Sequence, residues 1–453
     1  MPDTLAGWLA YLDTLHPKNI ALGLERVAQV KQRMNLLPGF PVIVVGGTNG
    51  KGSVCALLES MLHASGYRVG CYTSPHLLRY NERVRIATMP LGDAELCASF
   101  ERVEAARSGI SARAVEETSR GGKREHATQQ IDRAADYSPV SLTYFEFGTL
   151  AAMQCFIEHK VDVAILEVGL GGRLDAVNAF DNDCAVVASV DIDHTEYLGE
   201  TREQIAFEKA GIFRGGKVAI CADADLPQAV ADHARAIGAE LWRIGHEFGY
   251  AVHQGQWDYR SVAGSRNALP YPALRGSYQL DNASAALAAL DALKYRLPVN
   301  MEAVRRGLVE VRLAGRFQFV PGKPQMILDV AHNPHAARSL AQNLGGLPPC
   351  PHTWSVFSML KDKDIAGVVS ALDPHIDTWL VAGLTTPRGA TAEELERVLV
   401  QCRVRGEIRV RRSISDALSY ACNAAGENDR IIAFGSFYTV AEAMSAKGMS
   451  VIR

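Results

Sequence analysis

The chain has 453 residues, a formal net charge of −3, 48% hydrophobic residues and 21% charged residues. That length can bury two or three cores, and the balance is that of an ordinary soluble globular protein. A charge so near neutral, with no dominant basic block, argues against nucleic acid or an anionic membrane as the main partner, and no apolar run reaches membrane-spanning length. The opening stretch MPDTLAGWLAYLDTLHPKN is amphipathic and lacks a basic region followed by a long apolar core, so it does not read as a signal peptide. Nine cysteines stand singly with no CxxC pair, which reads as small buried hydrophobes in a reducing, cytoplasmic setting rather than a zinc or disulfide framework.

The first clear strand is PVIVV (41–45), followed by a glycine-rich turn and apolar residues at helical spacing through Val54, Leu57, Leu58, Met61 and Leu62. Strand, loop and helix in that order is the setting of a phosphate loop: glycines expose backbone N–H groups, the helix adds the positive end of its dipole, and Lys51 adds a full charge. The fit to GxxxxGK[ST] is imperfect, because Val45 takes the place of the first glycine and Gly52 separates Lys51 from Ser53. From these residues alone an ordinary turn stays open. Further strands are expected at RVGCYTS (68–74), VDVAILEVG (161–169), CAVVASV (184–190) and KVAICA (217–222). A polar stretch, residues 108–138, is poor in large apolar side chains and reads as an exposed insertion. Glycine and proline interrupt the pattern at AGRFQFVPGKP (314–324). Strands then resume at QMILDVA (325–331), TWSVFSML (353–360), DTWLVAG (377–383), EIRVRRS (407–413) and RIIAFGS (430–436). Helical patterns between them predict α/β architecture with largely parallel sheets, the last five βα units making a second doubly wound sheet. The expected division is a first domain at 1–314, a hinge at 315–322 and a second domain at 323–453. No internal repeat is found.

Polar residues gather at the predicted strand ends, where open α/β sheets place ligands. YTSPHLLRYNERVRI (72–86) reads by itself as a solvated loop. Glu167 is a stronger signal, because it interrupts an apolar strand and a buried carboxylate is rare unless paired or bound to a cation. Asp191, Asp193 and His194 follow another apolar strand; oxygen donors with a histidine suit magnesium or manganese better than zinc, although His194 taken alone reads more simply as a cap. Lys209, in FEKAGIF (207–213), would ordinarily snorkel. Beside a metal it would need a partner or a modification. In LDVAHNPHA (328–336), Asp329, His332 and Asn333 end the first strand of the second domain and would face the glycine loop across a cleft.

Taken in order, GTNGKGS, SPHL with NERVRI, LTYFEFG, LEVGLGGRLDAVN, DHTEYLG, EKAGIF, GRFQ and DVAHNPHA resemble the bifunctional dihydrofolate synthase/folylpolyglutamate synthase family, within the ATP-dependent Mur-type amide ligases. The likeness runs from LGLERV (22–27) to AFGSFYTV (433–440), and the extra glycine of GTNGKGS is normal there. The resemblance implies an N-terminal P-loop ATPase-type α/β domain and a C-terminal Rossmann-like α/β domain. It implies a ligase that adds L-glutamate to dihydropteroate and to reduced folates through an acyl phosphate. ATP is the implied co-substrate, with Mg2+ and, as a further candidate, a monovalent cation; a monomer is expected, without nucleic-acid or membrane partners. By the same resemblance, Thr48, Asn49, Gly50, Lys51, Gly52 and Ser53 would bind ATP phosphates, and Asn282, Arg316 and Asp329 the rest of the nucleotide. Ser74, Glu167 and His194 would hold the metal together with Lys209, which matches a lysine carbamylated in the family, and His332 would serve the chemistry with Lys51. Ile20, Ala21, Leu22, Thr143, Tyr144, Phe145, Glu146, Leu174, Asp175 and Ala176 match substrate-binding positions.

Two departures stand out. Ala21 takes the place of an aspartate, which implies a lost hydrogen-bonding group toward the pteridine, and the insertion at 108–138 lengthens the spacing before LTYFEFG. A monofunctional folylpolyglutamate synthase is the nearest alternative, and the intact LTYFEFG and GRLDA segments favour the bifunctional reading. A P-loop regulator without ligase activity would leave DVAHNPHA and Lys209 unexplained, and SPHL with NERVRI fits the folate branch better than the cell-wall Mur ligases.

Overall fold

The computed structural model describes residues 1–18, 20–109 and 138–450, so most of the expected insertion lies outside the described residues. Eight strands form the first sheet: β1 (Val42–Gly46), β2 (Val69–Tyr72), β3 (Val84–Ile86), β4 (Met89–Pro90), β5 (Val163–Glu167), β6 (Cys184–Val187), β7 (Val218–Cys221) and β8 (Glu240–Arg243). Their order is β4-β3-β2-β5-β1-β6-β7-β8. From β2 to β8 the pairs are parallel, while β3 and β4 continue the edge antiparallel.

Alternation along β1 explains the layers on either side. Successive strand side chains point to opposite faces. Val42 and Val44 enter one core with Phe100, Phe147, Phe156 and Ile205. Ile43 and Val45 enter the other with Leu57, Leu58, Met61 and the alanine-rich helix Gln279–Ala292. Helix Lys51–Ala64 is buried around much of its circumference, which matches its weakly amphipathic sequence.

A second, three-stranded antiparallel sheet joins β9 (Phe248–His253), β10 (Gln256–Ser261) and β11 (Gly264–Leu269). The sequence reading gave no strands here, because charged and polar residues break the apolar pattern on the exposed side. Trp257 and Tyr259 of β10 are buried against helix Gln279–Ala292. Asp291 of that helix accepts hydrogen bonds from Tyr259 Oη at 3.1 Å and Ser261 Oγ at 2.6 Å, and pairs with Arg266 at 2.6 Å. The sheet therefore braces the helix that carries Asn282.

The third sheet contains β12 (Gln318–Val320), β13 (Gln325–Asp329), β14 (Thr353–Phe357), β15 (Thr378–Val381), β16 (Glu407–Val410) and β17 (Arg430–Phe434), in the order β12-β13-β17-β14-β15-β16. The last five strands are parallel, and β12 pairs antiparallel with β13. Strand β12 falls inside the segment 315–322. The architecture is thus α/β with mixed sheets, each large parallel core carrying an antiparallel edge. Among the described residues no helix is long and apolar enough to cross a membrane, and all nine cysteines are free, five of them buried.

Candidate active site

The carboxyl ends of the first and third sheets open onto one cavity of about 580 Å³. In the first sheet, β1 lies between β5 and β6, the kind of strand-order reversal where α/β sheets bind ligands. Residues 47–50 leave β1 and helix Lys51–Ala64 begins at once. Gly50 sits at φ 86° as the helix N-cap, a left-handed conformation that side chains disfavour. A Cβ there would lie 2.5 Å from Asn282 Oδ1, and one on Gly47 would meet the backbone nitrogens of Ala188 and Ser189 at 3.0 Å. The loop is tied to the exit of β6: Thr48 N–H donates to Ser189 O at 2.7 Å and Asn49 N–H to Ser189 Oγ at 3.0 Å.

Lys51 Nζ turns back to donate to Gly47 O at 2.9 Å and Thr48 O at 3.1 Å. Burial pulls its pKa down, against the pull of the Glu167 carboxylate, and burial pushes Glu167 up while Lys51 and the Ser74 N–H oppose it. Glu167 Oε2 accepts that N–H at 2.9 Å. Arg316 reaches the same loop from the other side, its Nη2 lying 3.9 Å from where a Cβ on Gly52 would stand.

Segment 72–86 is a folded scaffold rather than a solvated loop. Glu82 accepts the backbone N–H groups of Leu77, Leu78 and Arg79 at 2.6–2.8 Å. Arg85 forms a buried ion pair with Glu59 of helix Lys51–Ala64 at 2.8 Å and also donates to Thr73 Oγ1 at 3.0 Å. Arg83 Nε donates to His76 Nδ1 at 2.8 Å, and burial together with Arg83 pulls His76 down to about 4.

Lys209, near the end of helix Arg202–Ala210, is buried, and among the described residues its side chain has neither a hydrogen bond nor an ion pair. Burial lowers its pKa to about 7, and Lys51 adds to the effect. His194, at φ 52°, is lowered to about 4 by burial and by Lys363. Asp193 faces burial, which opposes its ionisation, yet Lys363 holds its carboxyl well below the ordinary range.

The third sheet supplies the opposite wall. Both oxygens of Asp329 accept backbone N–H groups, from Phe317 and Ala331, at 2.8 Å each. Its carboxylate therefore shapes the chain around Arg316, and burial raises it to about 6. His332 Nδ1 lies 2.9 Å from Val330 O, so that nitrogen carries the proton and Nε2 is left as an acceptor. Burial and Lys363 lower His332 to about 4.

A polar seam joins the two walls. Lys363 Nζ contacts Asp193 Oδ1 at 2.6 Å and His194 Nε2 at 3.3 Å. Asn333 donates to Asp193 Oδ2 at 3.0 Å and exchanges hydrogen bonds with Asn49 at 3.2 Å, while Arg338 pairs with Asp191 at 3.0 Å.

Every residue that the family resemblance assigns to phosphate, nucleotide or metal, together with His332, lines this cavity: Thr48–Ser53, Ser74, Glu167, His194, Lys209, Asn282, Arg316 and Asp329. The expected pteridine positions cluster beside it without lining it. Arg26 pairs with Glu146 at 2.9 Å and donates to Ala21 O at 2.6 Å, and Gly23 N–H donates to Leu174 O at 3.3 Å. Thr143 and Glu146 cap helix Tyr144–Glu158 reciprocally. Asp175 accepts N–H groups from Leu170 and Val177, and burial raises it to about 7. Ile20 and Leu22 flank Ala21 and are partly buried. Among the described residues no three His, Cys, Asp or Glu side chains converge as a metal-holding group. Asp191 and Asp193, read from sequence as metal donors, are instead engaged across the seam. Lys363 and Arg388 also line the cavity, and neither stands out in the sequence: Lys363 sits in a KDKD run that reads as a solvated turn, and Arg388 in a proline–glycine turn.

The Mur ligase middle domain family matches residues 115–290, and the Mur ligase, glutamate ligase domain family matches residues 315–437. The dihydrofolate synthase/folylpolyglutamate synthase of Escherichia coli (strain K12) is 44% identical over 97% of this chain and 94% of its own. The chain belongs to the dihydrofolate synthase/folylpolyglutamate synthase family of Mur ligases. As a member of that bifunctional family it is an ATP-dependent glutamate ligase. The structure of E. coli FolC in complex with DHPP and ADP superposes with a TM-score of 0.88 at 42% identity, covering 99% of both chains. Another family structure, with Mn, AMPPNP and L-glutamate bound, gives 0.85 at 43% identity, covering 99% of this chain and 98% of that one.

If residues 47–53 cradle phosphate, Gly50→Ala should weaken ADP binding by at least about tenfold, since left-handed backbone costs a non-glycine residue about 1–2 kcal/mol before the clash with Asn282 is counted. Calorimetric titration with ADP checks this. Unchanged affinity would place the nucleotide elsewhere.

Proposed function

We propose that the chain joins the amine of L-glutamate to dihydropteroate, giving dihydrofolate, and to reduced folates, giving folylpolyglutamates, through an acyl phosphate made with ATP. The observation that carries this reading is the convergence of a phosphate-loop lysine, a buried carboxylate and a neutral imidazole on one cavity from opposite sheets.

The difficulty of the first step is electrostatic, because a substrate carboxylate must approach an anionic γ-phosphate. The backbone N–H groups of residues 50–53 at the helix start, Lys51 and Arg316 are suited to stabilise the charge that develops there. Lys51 would exchange its two loop carbonyls for phosphate oxygens, and Asn282 would lie against the loop at Gly50. Ser74, Glu167 and His194 would hold Mg2+, which supplies further charge neutralisation at the phosphates. A carboxylate, a hydroxyl and a neutral imidazole fit a hard dication. A monovalent cation is a further candidate without an assigned site. In the second step the glutamate amine attacks the acyl carbon and phosphate leaves from the tetrahedral intermediate. His332 Nε2 is poised to take the amine proton, because Val330 O fixes the tautomer. Lys363 and Arg388 line the same wall, and each would have to share its charge between the carboxylate it already pairs with, Asp193 and Asp362 respectively, and the carboxylates of glutamate. For the pteridine, Tyr144, Phe145, Asp175 and Ala176 are the better candidates, because Thr143 and Glu146 already satisfy each other as a helix cap. Ala21 offers only a carbonyl, which Arg26 already uses.

The test is ADP release that requires glutamate, measured with dihydropteroate and with tetrahydrofolate in turn. Activity with both is expected. ADP release independent of glutamate would refute the ligase reading, and activity with tetrahydrofolate alone would make the chain monofunctional.

The seam joins the two walls of the cavity, and we read residues 315–322 as the hinge between 1–314 and 323–453 on which they would part for loading. Small-angle scattering should give a larger radius of gyration without ligands than with an ATP analogue, folate and magnesium. Identical profiles would count against hinge opening.

Lys209 as an ammonium does not fit a metal site, whereas its carbamate would add an oxygen donor and reverse the local charge. Its neutral amine can attack CO2, forming the N–C bond and releasing a proton. With a pKa near 7, much of it is neutral at pH 7 and the fraction falls as pH drops through that value. We expect a carbamate signal by NMR after equilibration with 13C-bicarbonate, fading below pH 7 and missing from Lys209→Arg, which should also lose ligase activity. A fully active arginine variant would remove the carbamate from the mechanism.

A further inference from the structure

The cavity holds one cation whose role none of the steps above explains. Arg83 ends the short helical turn Tyr80–Arg83, and its carbonyl accepts the Thr73 N–H at 2.9 Å, which fixes it next to Ser74. Its guanidinium carbon stands 5.4 Å from the ring centroids of both Tyr80 and Tyr144. Nε is used by His76, and among the described residues neither Nη has a hydrogen bond and the side chain has no ion pair. The neighbouring carboxylate cannot serve, since Glu82 is turned onto the N–H groups of Leu77, Leu78 and Arg79. The Nη groups are not among the buried atoms that lack a partner, and Arg83 lines the cavity.

Position gives this cation its meaning. Tyr144 belongs to the cluster beside the cavity, whereas Ser74, His76 and Glu167 line the cavity itself, so Arg83 stands at the junction between the two. A molecule whose ring lies in the cluster and whose reacting end meets the phosphate loop must pass this junction. Stacking alone would orient the guanidinium, but it leaves both Nη groups facing the cavity, and a planar fork of donors matches a carboxylate.

We propose that Arg83 binds the carboxyl end of the pteridine substrate, an aryl carboxylate in dihydropteroate and a glutamyl carboxylate in a folate, and orients it toward the phosphate loop. His76 holds the fork from behind through Nε, and the rings of Tyr80 and Tyr144 flank it. This rests on the reading of the pteridine as substrate.

The test compares two ligands on the full chain in the presence of ADP: dihydropteroate and its neutral carboxamide. The wild-type protein should prefer the carboxylate by about 10- to 100-fold, the range of a charge-assisted hydrogen-bonded pair. In Arg83→Gln that preference should collapse toward one, with carboxamide and ADP affinities unchanged. Arg83→Lys, which keeps the charge and stem without the fork, should fall between, and it carries the test if the glutamine variant no longer binds ADP. A wild-type preference in either variant overturns the proposal, as does an equal loss for both ligands, which would mark Arg83 as scaffold. A wild-type protein that binds neither ligand refutes the pteridine substrate itself and Arg83 as its anchor with it.

Discussion

The ion pair between Asp193 and Lys363 sets the geometry on which the site depends. It links the chain just beyond β6 of the first sheet to the turn after β14 of the third, and its side chains are only 11% and 7% exposed. Charges so far out of water are held by each other, and removing one partner of such a pair typically costs about 3–5 kcal/mol. The distance it fixes brings His332 Nε2 to 4.0 Å from the same aspartate and sets Asn333 against Asn49. Without that distance the phosphate loop and the imidazole would belong to separate surfaces.

Charge balance within the cavity follows from the same closure. Lys51, Arg316 and Arg83 make no ion pair there, and Lys209 has no partner among the described residues. Of the carboxylates at the cavity, Glu167 is shared between the Ser74 N–H and the field of Lys51, Asp193 is paired with Lys363, and Asp329 is taken up by the N–H groups of Phe317 and Ala331. Cations left without an ion pair inside a cavity suit anionic ligands, because burying a charge is costly until something opposite fills the space. The fold tolerates this arrangement because α/β cores on both faces of each large sheet hold the strand ends in place without help from the site.

Much of this was legible in the residues. The apolar run VIVV and the glycines after it announce a strand feeding a loop, and Glu167 and Lys209 stand out as charges in apolar company. What sequence could not supply was pairing at long range. Asn49 and Asn333 are separated by 284 positions, Asp193 and Lys363 by 170, and neither partner advertises the other. Asp191 and Asp193 look like metal donors until the lysine and arginine opposite them are seen. The three-stranded sheet was missed for a different reason: β9 exposes half of its length and β11 most of it, so their order comes from pairing with β10 and from Asp291 rather than from an apolar stripe. For the pteridine cluster, local periodicity says nothing, because the segments around 20–24, 143–146 and 174–176 meet only in the folded chain.

The two walls of the cavity do not meet in the same way all round. Beside the Asp193 pair the contact is polar, but Leu77 and Leu78 pack against the apolar cluster of Val330 and Val440, close to Gly315. Water can replace each hydrogen bond on the polar side as it separates, whereas exposing the leucines would cost about 25 cal/mol for every Å² uncovered. Separation is therefore cheaper on the side of the seam than on the side of the leucines. If the walls part at the hinge we read in residues 315–322, such an asymmetric joint would swing like a door, with the leucines at the jamb and the lysine as its bolt.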